Sequence, residues 1–134
     1  MPTIDNIVIK QSDGTTDVTY KAVQGAAGAS NPAMFRNETV GSTVSQYPSM
    51  LVRASENGSR TSRRVRVDFS WPITAQDAGG NVTVTGRMAG ECSVVIPQNQ
   101  APTVIKEQAY QFANLIASSL IKASFDEGFA PRSA

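Results

Sequence analysis

The stretch TSRRVRVDFSW, residues 61–71, places Val65, Val67, Phe69 and Trp71 at odd positions and Ser62, Arg64, Arg66, Asp68 and Ser70 at even ones. Successive side chains of a β-strand point to opposite faces, so this alternation predicts a strand with one apolar side and one polar, cationic side. A one-residue slip in pairing would bury the arginines, which specifies the register. Pro72 is expected to end the strand. Immediately upstream, Pro48–Ser55 alternates in the same way, with Met50, Val52 and Ala54 on one face and Ser49, Leu51, Arg53 and Ser55 on the other. The intervening Glu56-Asn57-Gly58-Ser59 contains an Asn-Gly pair, a strong hairpin signal. Downstream, Thr74–Asn81 ends in Gly79-Gly80-Asn81 and reads as a flexible loop. Val82–Ile96 is then a long last strand. Val82, Val84, Met88, Cys92, Val94 and Ile96 share one parity, and Thr83, Thr85, Arg87, Ala89, Glu91 and Ser93 share the other. Gly86 and Gly90 fall on the apolar side. Three successive strands with one apolar and one polar face indicate an antiparallel sheet covered on one side only.

Nearer the N-terminus, Ile4–Lys10 is β-prone, Ser12-Asp13-Gly14 supplies turn chemistry, and Thr16–Val23 alternates again, which together predict a hairpin. Gln24–Pro32 lacks any period and reads as a loop, and Met34–Val40 as a further strand. After Pro97 the period changes. Pro102 suits a helix start, and Val104, Ile105, Ala109, Phe112, Ala113, Ile116, Leu120 and Ile121 recur at steps of three and four residues, predicting about five helical turns with a break near Ser118-Ser119. The fold class is therefore α+β: one domain over 1–134, with an N-terminal hairpin (3–24), an antiparallel meander sheet of about five strands (33–96) and a C-terminal helical region (101–127). One helical region is little cover for such a sheet, so the missing cover is expected from a second copy of the chain.

Composition narrows the functions. With 134 residues and a formal charge of +1, the chain is one domain long and has no global basic excess. The charge is local instead: Arg60, Arg63, Arg64 and Arg66 lie within seven positions, flanked in neighbouring segments by Arg53 and Arg87. Arginine favours forked contacts to phosphate, although a solvated strand edge explains the same cluster. No histidine is present, and the single cysteine, Cys92, can neither close an intrachain disulfide nor form a zinc site. No metal or cofactor is expected, and a catalytic reading through Cys92 or an Asp68/Glu91 carboxylate pair starts without its commonest general base. No run of about 18 apolar residues suggests a membrane span, and no N-terminal charged-then-apolar segment suggests secretion, so a cytoplasmic origin is expected.

The segment Val52-Arg53-Ala54-Ser55 through Asn57-Gly58-Ser59-Arg60, followed by Arg64-Val65-Arg66-Val67-Asp68-Phe69, resembles the two central strands and connecting hairpin of the coat proteins of single-stranded RNA bacteriophages, the levivirus group. Ala113-Asn114-Leu115-Ile116-Ala117-Ser118-Ser119-Leu120 is similar to the C-terminal helical segment of the allolevivirus branch. The resemblance spans nearly the whole chain and rests on order and pattern. It implies a homodimer whose sheets join edge to edge and whose helices lie across the partner's strands, the building block of an icosahedral capsid, with T=3 geometry usual. The virion would assemble in the bacterial cytoplasm, with no membrane involved. The loop matching Ile73–Asn81, with Thr74, Ala75, Gln76, Asp77, Ala78, Gly79 and Gly80, would meet its copies around the symmetry axes, its glycines allowing more than one shape.

The resemblance also implies that the exposed sheet face binds single-stranded phage RNA, a hairpin in studied relatives, where binding represses replicase translation. The matching positions are Ser49, Leu51, Arg53 and Ser55; Arg60, Ser62, Arg64 and Arg66; and Arg87, Ala89 and Glu91. The chain departs from the family at Arg87, where an aromatic is common, at Ala89, where relatives carry a polar residue, and in a hairpin after Ser55 longer by one residue. These departures favour general RNA packaging over tight recognition of one sequence. The competing reading is a dimeric host β-sheet nucleic-acid-binding module. Such modules place aromatics on the binding face, whereas Phe69 and Trp71 here take the other parity.

Overall fold

A computed structural model describes residues 2–27, 31–41 and 43–133. Its single sheet has six strands in sequential order: β1 (Ile7–Lys10), β2 (Asp17–Gln24), β3 (Ala33–Arg36), β4 (Ser49–Glu56), β5 (Ser62–Gln76) and β6 (Val82–Pro97). Every neighbouring pair is antiparallel. Two helices follow, α1 (Pro102–Ile116) and α2 (Ser119–Glu127), with the break at Ala117-Ser118, one residue before the expected Ser118-Ser119. Pro102 opens α1, and Gly128 closes α2 at φ 77°, the left-handed cap that glycine takes without strain. The N-terminal hairpin is part of the sheet, since β2 pairs with β3. Of the loop expected over 24–32, residues 28–30 lie outside the described residues, as does Ser42 in the polar segment before β4.

Alternation in 61–71 produces the expected faces. Val65, Val67, Phe69 and Trp71 pair with Ala54, Val52 and Met50 of β4 and with Val94, Cys92, Gly90 and Met88 of β6. Through Phe35, opposite Met50, and Ala22, opposite Phe35, this apolar side continues to Tyr20. β2 and β5 are three strand spacings apart, roughly 14 Å in a flat sheet. The rings of Tyr20 and Phe69 nevertheless stand 6.4 Å apart at 63°, because the sheet curls and brings the N-terminal hairpin over the middle of the apolar face. Tyr20 and Phe35 are the buried hydrophobic residues that result, at 1% and 6% exposure.

Several boundaries differ from the sequence reading, each for a local reason. Pro72 does not end β5, which runs on to Gln76. β4 stops pairing at Ser49 opposite Ser70, so beyond that point β5 has a strand on one side only, where a proline is tolerated. Thr74, Ala75 and Gln76 are accordingly strand residues rather than loop. The remaining turn is tight: Gly80 N–H donates to the Asp77 carbonyl (3.1 Å), the Asp77 carboxylate accepts from the amides of Gly79 and Asn81 (both 2.9 Å), and Gly80 takes φ 83°. A bulge at Thr85 sets Ile73 opposite Gly86 but Thr74 opposite Val84. Val82 and Val84 therefore pair with Gln76 and Thr74, which continue the Arg64–Ser70 side of β5, and do not extend the apolar side as their parity suggests. The left-handed residue of the β4–β5 hairpin is Arg60, φ 55°, rather than Gly58. Asn57 stabilises this wider turn by accepting from the amides of Thr61 (2.8 Å) and Ser62 (3.2 Å). β3 ends at Arg36, four residues before the expected Val40. Buried Asn37 turns the chain there: its side-chain oxygen accepts from the Thr39 amide at 3.0 Å, a bond that competes with strand pairing.

Neither helix contains a buried residue. Ile105, Ala109, Phe112, Ile116 and Ile121 are half-covered, while Val104, Tyr110, Leu115, Leu120, Phe125 and Phe129 stand exposed. The accessible surface is 9961 Å² for 14.2 kDa, about half as much again as the roughly 6,800 Å² of a folded monomer of that mass. The chain does not cover its own apolar surface.

Replacing Tyr20 by Ala removes the most buried apolar side chain of the cluster it forms with Phe35 and Phe69 and is expected to cost about 3 kcal/mol or more, read as a shift in the denaturant midpoint with unchanged slope. At the first hairpin, the Asp13 carboxylate is lowered to about 2, chiefly by the Thr16 hydroxyl and then by the amides of Thr16 and Thr15. A depressed carboxylate contributes stability above its unfolded value, about 3.8, and loses it as pH falls toward 2. Amide protection factors in Lys10–Asp17, taken relative to the intrinsic exchange rate at each pH, are therefore expected to fall over that window, and an Asp13→Asn variant to lose this pH dependence.

Candidate nucleic-acid interface

The second face of β4, β5 and β6 is a lattice fixed by register. Its rows read Ser55, Arg64, Val95; Arg53, Arg66, Ser93; Leu51, Asp68, Glu91; and Ser49, Ser70, Ala89, with Arg87 next along β6 opposite Pro72. Ser62 stands opposite Pro97 at the near end. The structure thus gathers ten of the eleven expected positions on one face. Arg60 is the exception: it occupies the β4–β5 turn, 84% exposed, with its guanidinium 3.8 Å from Glu56.

Asp68 and Glu91 are directly opposite one another, a like-charge pair that would repel. Arg66 bridges them, Nε to Asp68 Oδ1 at 2.8 Å and Nη2 to Glu91 Oε2. These partners hold its guanidinium charged beyond the ordinary arginine value, Asp68 contributing most. Arg53 reaches the other Asp68 oxygen at 3.7 Å. At the hairpin end Arg63 donates to Glu56 at 2.7 Å and holds that carboxyl below its usual range. Arg87 donates only to the Ser70 hydroxyl, at 3.3 Å, and among the described residues the Arg64 guanidinium has no partner. The cationic face is therefore partly neutralised: four arginines face two carboxylates, and Arg64 and Arg87 remain without a carboxylate.

Between these charges lies an open depression of about 410 Å³ lined by Ser49, Leu51, Asp68, Ser70, Ala89 and Glu91. Its chemistry suits a planar polar group: two hydroxyls and two carboxylates offer hydrogen bonds, Leu51 and Ala89 give an apolar floor, and arginines stand around it for phosphates. Asp68 and Ser70 were legible on the polar parity, but the part they play appears only once pairing sets Asp68 between Arg53 and Arg66. Among the described residues no cluster of His, Cys, Asp and Glu could hold a metal ion. Cys92 is half-buried on the apolar face beside Val67, so nothing there activates a thiol. No described helix is long and apolar enough to cross a membrane.

The sequence matches no family model and no curated protein. Among solved structures, the chain is similar to the virus-like particle subunit of Beihai levi-like virus 21 (20% identity, TM-score 0.80, 99% of this chain and 100% of that one). It is similar also to that of bacteriophage NT-214 (16%, TM-score 0.81, 98% and 100%) and to the bacteriophage GA protein capsid (16%, TM-score 0.71, 93% and 95%). The six-stranded curled sheet with two C-terminal helices is thus the RNA-phage coat-protein fold.

Neutralisation by Asp68 has a measurable consequence. Asp68→Asn releases Arg53 and leaves Arg66 held by Glu91 alone, so binding to a single-stranded polyanion should strengthen, and the slope of log K against log salt should steepen by about 0.7 per cation released. Filter binding across a salt series reads both.

Proposed function

We propose that the chain is the coat protein of a single-stranded RNA bacteriophage: a structural subunit, without catalytic activity, that dimerises, builds the capsid of the virion and packages RNA on its arginine-bearing sheet face. The observation that carries this reading is the apolar surface left without cover. The excess over a folded monomer is roughly 3,200 Å² per chain, and two copies bring twice that, above the roughly 2,000 to 5,000 Å² of an ordinary obligate dimer interface. That excess, polar and apolar area together, is ample for an obligate dimer interface, and what a dimer leaves over is available to further neighbours, as in a shell. Likeness in fold to subunits of virus-like particles, over almost the whole of each chain, supports the same conclusion.

In this reading the half-covered stripe of α1 and α2 lies on the partner's apolar sheet face, beside Val67, Cys92 and Val94. The whole chain, 1–134, acts as one unit. The β5–β6 tip, Thr74 to Gly80, meets neighbouring dimers. Ser49, Leu51, Arg53, Ser55, Ser62, Arg64, Arg66, Arg87, Ala89 and Glu91 form the interior surface facing RNA, and Arg60 contributes from the turn at its rim. Two of the four arginines on the face are free of carboxylates, which supports general packaging through phosphates more than discrimination among sequences. Repression of translation through an RNA hairpin would require a base-specific contact, for which the central depression is the candidate. A dimeric host nucleic-acid module is the less favoured reading, since the aromatics Phe69 and Trp71 point away from this face.

Protein produced in bacteria is expected to elute as megadalton particles containing host RNA, visible as shells by electron microscopy. A small species at every concentration would overturn the proposal. Replacing Arg53, Arg64, Arg66 and Arg87 by Ser should lower the 260 to 280 nm absorbance ratio of purified particles, with Arg64 and Arg87 accounting for most of the change.

A further inference from the structure

Asn57 is the one asparagine of the chain that is followed by glycine. An asparagine so placed is chemically labile, because glycine has no side chain to keep its backbone nitrogen away from the neighbouring amide carbon. Both halves of this reaction centre lie in the exposed turn between β4 and β5. Gly58 has open space where a Cβ would stand, and among the described residues its N–H donates to nothing. The nucleophile is therefore free, whereas the electrophile is held. The Asn57 side-chain oxygen accepts from the amides of Thr61 (2.8 Å) and Ser62 (3.2 Å), and its Nδ2 donates to the Thr61 hydroxyl at 2.9 Å. Ser59 Oγ stands 3.2 Å from that hydroxyl and steadies it. The Asn57 main chain is tied as well: its N–H donates to the Ser62 carbonyl and its carbonyl accepts from the Arg60 amide, both at 3.1 Å.

We propose that Asn57 is a deamidation site which the folded turn holds closed, so that conversion proceeds only in the fraction of molecules whose side-chain bonds to Thr61 and Ser62 are broken. The inference is independent of the capsid reading and concerns the turn alone. The side-chain amide is anchored through both its oxygen and its nitrogen to the β5 side of the turn, and it reaches the Gly58 nitrogen only by giving up all three bonds. At an exposed turn each such bond is worth roughly a factor of two to five, so together they slow the step roughly 10- to 100-fold.

The reaction consumes only water. The Gly58 nitrogen attacks Asn57 Cγ and loses its proton to solvent, an N–Cγ bond forms, the Cγ–Nδ2 bond breaks, and Nδ2 leaves as ammonia with a proton taken from water. Water then opens the resulting cyclic imide, giving aspartate where the new N–Cγ bond breaks and isoaspartate where the bond to the main-chain carbonyl carbon breaks. Either product adds a carboxylate at the end of the sheet where Glu56 already meets Arg63 at 2.7 Å and Arg60 at 3.8 Å. The formal charge of the chain falls from +1 to zero, and isoaspartate also lengthens the main chain by one carbon in a turn whose Arg60 is already left-handed, at φ 55°.

Rates of conversion test the proposal. The full chain is incubated at one mildly alkaline pH and one temperature, both natively and in guanidinium chloride, and the tryptic peptide Ala54–Arg60 is followed by mass for the exchange of an amide for a carboxylate. Asn57 should convert roughly 10- to 100-fold more slowly in the native chain than in denaturant. Thr61→Val removes the hydroxyl that holds Nδ2; it should raise the native rate roughly two- to fivefold and leave the rate in denaturant unchanged. Gly58→Ala, which puts a side chain beside the attacking nitrogen, should slow both. Equal rates for the native and the denatured chain overturn the proposal. So does a native Thr61→Val rate no different from that of the original chain, or an Asn57 that stays intact in denaturant while another asparagine converts.

Discussion

Apolar surface that the chain cannot cover by itself is the constraint on which the rest of this molecule depends. Six strands form a single layer, and a layer with one greasy face needs a second layer. The N-terminal hairpin curls back far enough to seal Tyr20 and Phe35, but it does not reach the β6 end, where Val94, Cys92 and Met88 lie. The helices leave from that end with their own apolar stripe half exposed. In the proposed assembly folding and association become one process for most of the chain, and stability would then depend on protein concentration.

On the opposite face, charge and register act together. Pairing β4 with β5 and β5 with β6 puts Asp68 within reach of Arg53 and Arg66 and places Glu91 beside it. Exposed ion pairs contribute little to stability. Their effect here is on the field: the face keeps a positive balance, but half of its arginines are already engaged. In the proposed packaging role such a surface would hold a polyanion loosely and release it with salt.

The sequence makes some of this plain and conceals the rest. Alternation over 61–71 identifies β5 and its faces because every side chain from Arg64 to Trp71 agrees with a period of two, and the three-and-four spacing from Val104 to Ile121 identifies the helices for the same reason. Pro72 misleads because its cost depends on whether a neighbouring strand is present on both sides, which is a property of β4's length and not of Pro72. Thr85 misleads because a bulge shifts parity without leaving a local mark, so Val82 and Val84 change sides. Arg60 holds a left-handed conformation beside an available Gly58 because Asn57 binds the amides of Thr61 and Ser62. The site residues were legible as a parity class; their engagement with Asp68 and Glu91 was not, since it depends on which residues of distant segments come to lie opposite one another.

Past the bulge at Thr85, β5 and β6 continue as a two-stranded ribbon exposed along both sides, tied back where the Gln46 side chain donates to the Val82 carbonyl at 3.3 Å. From Ile73 to Gly79 this arm is about 20 Å long at ordinary strand rise. A tilt of about 10° at the irregular pair, with the Gln46–Val82 bond released, would carry the tip some 3 to 4 Å by the same strand rise, while the internal hydrogen bonds of the tip stay intact. In the proposed shell, a tip so mounted would suit vertices of unequal crowding by swinging as a rigid piece, with no need to refold.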